Sequence, residues 1–294
     1  MILHSLLRNI LTTMKEECQK YAAVDTNNLI SKTVHMSHRL TTVIICFYMA
    51  AALCYAIGTL THHSFNAIPS RGLLLKMDLP FETNRWLIYE LVIIIQCFYQ
   101  ISGAFMYGIF SALLLMLVLH LGCQIDIMCQ ILLKAPYTNE EKLRFFVSRH
   151  QEIIIFSERI EQFFTYIALS QLVINTLIIC GLGYIIVITL SASNETSMLI
   201  KCVLFCISIC LEAFIYSFVG EYLSAKSKLI GDTAYEFLWY NLHPNKSRML
   251  IPVILRSQKG FTFTCGKFAK LSMESFTSMM KASASYISVL LAMS

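Results

Sequence analysis

Apolar positions in this chain gather into runs too long and unbroken for the strands or amphipathic helices of a soluble domain. Four of them, Leu40 to Leu60, Trp86 to Leu121, Tyr166 to Leu190 and about Cys202 to Gly220, meet the requirement of roughly 20 residues for a helix that crosses a bilayer. A fifth run, Gly266 to Ser294, is helical in pattern and long enough to span, but far more polar. Its serines at 272, 275, 278, 283, 285, 288 and 294, with Thr277 and Lys281, share it with Met279, Met280, Ile287, Val289, Leu290 and Leu291. Ser278, Lys281, Ser285 and Ser288 recur at 3, 4 and 3 residues, so on a helix they form one stripe. Hydroxyls and a charge left bare in hydrocarbon each cost roughly several kcal/mol, so this stripe must face protein or water. Serine-mediated helix packing satisfies that condition, and so does a water-filled path.

The run from Trp86 to Leu121 is ambiguous by length: at about 1.5 Å per residue it makes roughly 54 Å of helix. It reads either as two spans turning near Ser102-Gly103 or as one tilted helix. Charge separates the two readings. With one span, 17 Lys and Arg share the side of the N-terminus, against 3 in residues 61–85 and none in 191–198; with two, only 5 stay with the N-terminus and 15 lie opposite. Positive-inside sorting selects the single span, which gives about five spans with the N-terminus cytoplasmic and the C-terminus extracellular.

Composition agrees with the runs. Of 294 residues, 56% are hydrophobic and only 14% charged, whereas soluble domains carry roughly a quarter charged residues. The fold class is therefore all-α, a polytopic helical membrane protein. It divides into a cytoplasmic lead-in at 1–39 and a transmembrane domain at 40–294, with spans at about 40–60, 86–121, 166–190, 200–220 and 271–292. Cytoplasmic extensions at 122–165 and 221–267 carry apolar stripes, including Phe145, Phe146, Ile153, Ile154 and Ile160, then Leu223, Ala234, Tyr235, Phe237 and Trp239. Such stripes need something to bury them, so a cytoplasmic helical bundle or subunit interface is expected. The net charge of +5 does not indicate nucleic-acid binding. Met1 to Ile10 lacks the pattern of a cleavable signal peptide.

Candidate chemistry is sparse. Glu212 falls in mid-span, an ionisable group suited to proton coupling or ligand contact with Lys281 as a possible partner, or to locking helix packing. Neither the His35, His38 pair nor the His62, His63 pair has a third ligand, and Cys202, Cys206 and Cys210 read as packing residues, so no metal and no cofactor is expected. The eleven cysteines avoid the expected outside loops, which argues against an extracellular disulfide. Asn194-Glu195-Thr196 is an N-glycosylation acceptor on the expected outside, while Asn245-Lys246-Ser247 falls inside. Tyr55, Phe98, Ile101, Phe105 and Phe205 read as an apolar small-molecule pocket, with aromatic core packing an equal explanation. No phosphate loop, nucleophile elbow or acid–base pair supports an enzyme.

Several spaced motifs carry a resemblance. They are His150, Ile153, Ile154, Phe156, Ile160, Glu161 and Gln171 before a span holding Cys180; Gly220, Leu223, Ser227, Ala234, Tyr235, Trp239 and Tyr240; Arg256-Ser257-Gln258-Lys259, Gly266, Phe268, Leu271-Ser272, Glu274 and Phe276; and the closing Ser283-Ala284-Ser285-Tyr286. Over roughly residues 150 to 290 this order resembles the insect odorant receptor family, and Asp78-Leu79-Pro80-Phe81 adds a looser match. Two positions depart from the family pattern: the usual Lys-Pro reads Lys259-Gly260, and the usual Ser-Tyr-Ser-Tyr reads Ser283-Ala284-Ser285-Tyr286. Family members have seven spans, so the resemblance implies that two are missing here, as in a fragment or incomplete gene product.

What the resemblance implies is an odorant-gated, non-selective cation channel serving olfactory sensory transduction. The subunit joins an odorant receptor co-receptor in a heterotetramer in the plasma membrane of the olfactory sensory neuron dendrite, and binds a small volatile apolar ligand. Its last helix would line the pore with Ser278, Lys281, Ser285 and Ser288, and counting from Ser285-Tyr286 puts the family's hydrophobic gate on Val289. A gustatory receptor of similar architecture is the nearest alternative. A G-protein-coupled receptor would need the opposite orientation, and a secondary transporter would show internal repeats or broken helices around a Glu212–Lys281 pair.

Overall fold

The computed structural model describes residues 2–21, 28–65, 86–134, 140–191, 196–237, 239–241 and 243–293. Asp78 to Phe81 and Asn194 lie outside them. The elements are α1 (Ile2–Tyr21), α2 (Leu29–Phe65), α3 (Trp86–Leu133), α4 (Glu140–Ser191), α5 (Thr196–Glu236), a 3-10 turn (Trp239–Asn241), α6 (Pro244–Ser247), α7 (Ile251–Lys259), the hairpin strands β1 (Thr264–Cys265) and β2 (Ala269–Lys270), and α8 (Met273–Met293). The chain is a polytopic helical membrane protein. Among the described residues four helices, α2 to α5, are long and apolar enough to cross a membrane. α8, at 21 residues, is about 31 Å long and therefore also has the length to span.

α3 is a single 48-residue helix. Ser102 satisfies its hydroxyl on the Tyr99 carbonyl of its own helix, at 2.9 Å, and Gly103 does not interrupt the ladder. The expected inward helices also form without a break: α4 runs from Glu140 through the span and α5 continues to Glu236. α8 departs from expectation at its start. The expected helix from Gly266 is replaced by a turn, because Gly266 and Lys267 take φ of 56° and 66°, outside the right-handed helical region. That turn closes the hairpin in which Thr264 pairs with Lys270 and Cys265 with Ala269. Ser272 then caps α8, its hydroxyl accepting the Ser275 N–H at 3.2 Å.

The chain falls into two compact units. The first comprises residues 1–39, 114–174 and 213–279. Its core follows helical spacing on each contributor: Leu114, Leu117, Leu121, Ile125, Met128 and Leu132 on α3; Phe146, Ile153, Phe156 and Ile160 on α4; Val219, Leu223, Ile230 and Ala234 on α5. Each such side chain, taken wholly out of water, contributes about 1.5–3 kcal/mol, enough to order helices whose outer faces are charged. α1 joins this core through Ile10 and Tyr21. Of the aromatic residues expected to be buried here, Phe237 is buried but Tyr235 is exposed.

The second unit comprises residues 40–113, 175–212 and 280–294. α2 buries Ile44, Tyr48, Ala52 and Ala56 at four-residue spacing, and Gly108 of α3 brings the backbones of α2 and α3 close, near the Ile45 Cα. Its outward faces carry Val43, Ile57, Leu91, Ile94, Leu177, Ile188 and Ile200, all exposed, as suits helices surrounded by lipid.

Candidate functional site

α8 has two faces, and its sequence dictates both. At about 100° per residue, Phe276, Met280, Ser283, Ile287 and Leu291 fall within one arc, and Ser278, Lys281, Ser285 and Ser288 fall opposite. Met279 and Ser283 are buried, Phe276, Met280, Ile287 and Leu291 are half-buried, and Ser278, Lys281, Ser285, Ser288 and Val289 are all exposed. Packing is tight where the inner face meets α4: a Cβ on Gly183 would collide with the Ile287 side chain, 3.0 Å from its Cγ1. Ser283 is 1% exposed, and its hydroxyl has no partner among the described residues. The stripe hydroxyls are spread along the opposite side, and Ser288 also bonds back to the Ala284 carbonyl at 3.1 Å.

The entry to α8 is pinned by the hairpin. Glu161 of α4 accepts two hydrogen bonds on Oε1, from the Thr264 N–H at 3.2 Å and the Thr264 hydroxyl at 2.5 Å. One turn along, the Thr165 hydroxyl donates to the Thr264 carbonyl at 2.9 Å, and the Gly266 N–H reaches both the Thr165 carbonyl and its Oγ1 at 3.0 Å. The Leu271 N–H closes on the Phe263 carbonyl at 2.9 Å. Gly220 of α5 lies so close to Leu271 that an added Cβ would collide with that residue's carbonyl oxygen and sit 2.7 Å from its carbonyl carbon. Just inside α8, Phe276 meets Phe214 of α5 edge-on, with ring centroids 6.1 Å apart.

The expected pocket residues all belong to the second unit, and a good part of their surface lies open. Phe98 is 74% exposed and Phe105 and Phe205 nearly half, while Ile101 and Tyr55 are intermediate. Phe98, Ile101 and Phe105 point about 140–200° around α3 from its buried Gln96. Tyr55 lies beneath the Lys201 ammonium, 6.0 Å from the ring centroid. Glu212 is 1% exposed whereas Lys281 is exposed.

A buried ionic network in the first unit escaped the sequence reading. Arg149, with only 3% of its side chain exposed, donates from Nη1 to Glu17 at 2.8 Å and to Glu152 at 2.6 Å, and from Nη2 to Gln124 at 2.8 Å. Its guanidinium also stacks 4.4 Å from the Tyr21 ring centroid. Glu17 bonds His120 Nε2 through its other oxygen at 3.1 Å. Burial pushes the Glu17 carboxyl up, but hydrogen bonds and charge from His120 and Arg149 outweigh it and hold Glu17 below the usual carboxylate range. A signal was available: Phe146, Arg149, Ile153, Phe156 and Ile160 share a 3-4-3-4 spacing, so Arg149 occupies a buried stripe and must be paired there.

Comparison with known proteins follows the same lines. The chain is similar to Odorant receptor 13a of Drosophila melanogaster, 29% identical over 161 residues that make up 51% of this chain and 38% of that receptor. Odorant receptor 22c of the same fly is 26% identical over 144 residues, 49% of this chain and 35% of that one. The matched stretch thus spans little more than a third of these relatives' length. In fold, the insect olfactory receptor OR5 from Machilis hrabei in complex with eugenol matches with a TM-score of 0.78 at 15% identity, covering 91% of this chain and 69% of that one. A second structure of that receptor matches at 0.75, covering 100% and 77%. The profile described as 7tm Odorant receptor matches residues 2–284, nearly the whole sequence, and the chain therefore belongs to the insect odorant receptor family.

Proposed function

We propose that this chain is a subunit of an odorant-gated, non-selective cation channel and that α8 borders the ion path. The observation carrying this reading is the division of α8: Ser278, Lys281, Ser285, Ser288 and Val289 are exposed along one side while Ser283 and Ile287 are packed on the other. A helix with that division suits a wet path on one flank, with Val289 as the hydrophobic constriction that dewets when closed. The subunit assembles with a co-receptor as a tetramer in the plasma membrane of olfactory sensory neurons, N-terminus inside and C-terminus outside. A small volatile apolar ligand drives opening by the amount by which it binds the open state more tightly than the closed one. Tyr55, Phe98, Ile101, Phe105 and Phe205 are the candidate ligand contacts.

The test is cysteine accessibility, with the chain expressed beside a co-receptor. A cationic thiol reagent applied from outside should block current through the Ser285→Cys subunit and leave Ser283→Cys unaffected, because Ser283 faces the packed side. Val289→Ala should raise basal current. Equal modification of both cysteines, or no block at all, refutes the assignment of α8 to the pore.

A further inference from the structure

We infer that Glu161 and Thr165 of α4, together with Gly220 of α5, form a clamp on the hairpin that sets the position of α8, making them positioning residues for the gate. This rests on the channel reading above and adds how the pore helix is held. Three observations converge. The hairpin has only two residue pairs, too few to be stable alone. Its order comes from outside: Glu161 Oε1 takes both the N–H and the hydroxyl of Thr264, and Thr165 binds Thr264 and Gly266 on both sides of the strand end. Just past the far strand, the Leu271 carbonyl lies against the bare Cα of Gly220, one residue before the Ser272 cap.

A displacement of α4 or α5 at this level therefore moves Thr264, Gly266 and Leu271 with it. No free linker separates them from α8: Leu271 is hydrogen-bonded to Phe263, and the Ser275 hydroxyl bonds the Lys270 carbonyl at 2.7 Å, so the first turn is tied to β2. The acceptor on Glu161 is a carboxylate, and hydrogen bonds to charged groups are roughly twice as strong as neutral ones, which makes it the stiffest contact of the set. Leu169 supports the turn from below, since a Cβ on Gly266 would meet its side chain.

The experiment measures ligand-free cation current per surface receptor, normalised by surface biotinylation, together with the Na⁺/K⁺ permeability ratio. Glu161→Gln and Thr165→Val should each change the basal open fraction by about tenfold, the equivalent of one charge-assisted or buried hydrogen bond acting on one state only, with the permeability ratio unchanged. Thr165→Ser, which keeps the hydroxyl, should restore the parental value. Thr264→Val combined with Glu161→Gln should add little beyond either alone. If Glu161→Gln impairs surface delivery, Thr165→Val, which replaces one hydroxyl with a methyl, decides the matter. Unchanged basal current in Thr165→Val beside an altered current in Val289→Ala overturns the clamp and leaves the pore reading standing. Unchanged current in both overturns the pore reading itself.

Discussion

Arg149→Met isolates the energetic role of the buried network in the first unit. Methionine roughly fills the volume of the arginine stem, so the loss is electrostatic rather than a cavity. Glu17, with 12% of its side chain exposed, is left with His120 as its remaining charged partner, and the Gln124 oxygen loses its donor. Breaking a buried pair from one side costs about 3–5 kcal/mol, and loss of the cation–π contact with Tyr21 adds about 1 kcal/mol. At about 2 °C per kcal/mol for a chain of this size, the thermal midpoint in detergent should fall by roughly 8–12 °C. Glu152→Gln removes a partner that is 46% exposed, so it should cost at most about 1 kcal/mol. Combining Glu17→Gln with Arg149→Met removes both charges and should recover part of the single-variant loss. A double variant less stable than Arg149→Met alone would refute the argument that an unpaired buried carboxylate causes the damage. The pH dependence follows from the lowered Glu17 value: its pairing contributes in full above the unfolded carboxyl's ordinary 4.5 and is lost as pH falls through the folded value.

Three other outcomes are expected. His150 is 4% exposed, and burial, with the Arg256 charge adding to it, pushes it down to about 4 from 6.5. The unfolded chain therefore binds the extra proton first, and stability should fall by roughly 3 kcal/mol as pH drops from 6.5 to 4, a loss that Arg256→Met should reduce in acid unfolding curves. Gly220→Ala should disrupt the packing against Leu271, costing about 1–3 kcal/mol for forced overpacking, whereas Gly181→Ala, where an added Cβ meets nothing within 4 Å, should be neutral or stabilising by about 1 kcal/mol. Glycosidase treatment should shift the mobility of the expressed chain, and Asn194→Gln should abolish that shift while Asn245→Gln leaves it; a glycan on Asn245 would invert the proposed orientation.

Features with a local period were legible in the sequence. The α8 stripe follows from serines repeating at helical spacing, decided by neighbours within a few turns, whereas the single α3 needed the Lys and Arg distribution along the chain to choose it over two shorter spans. The start of α8 was not legible, since the positive φ of Gly266 and Lys267 is selected by Thr165 and Leu169, about a hundred residues away in sequence. Glu17, His120 and Arg149 come from three separate helices, so no spacing rule joins them. Around the candidate pocket residues, Phe98 and Gln96 are two residues apart, yet one is 74% exposed and the other 5%, a division that aromatic content alone does not reveal.

In the proposed channel, the shallow seating of α8 sets the scale of the work a ligand would have to do. Beyond its first two turns the helix is held by Ser283, Ile287 and Leu291, and only Ser283 among them is fully buried. Unseating two half-buried aliphatic side chains forfeits about 1–3 kcal/mol. A volatile compound of roughly ten heavy atoms has only several kcal/mol of binding energy in total, and the fraction that discriminates between two states is smaller still. Under that proposal, load and motor are of the same size, which is the condition under which so small a molecule would be able to shift the helix.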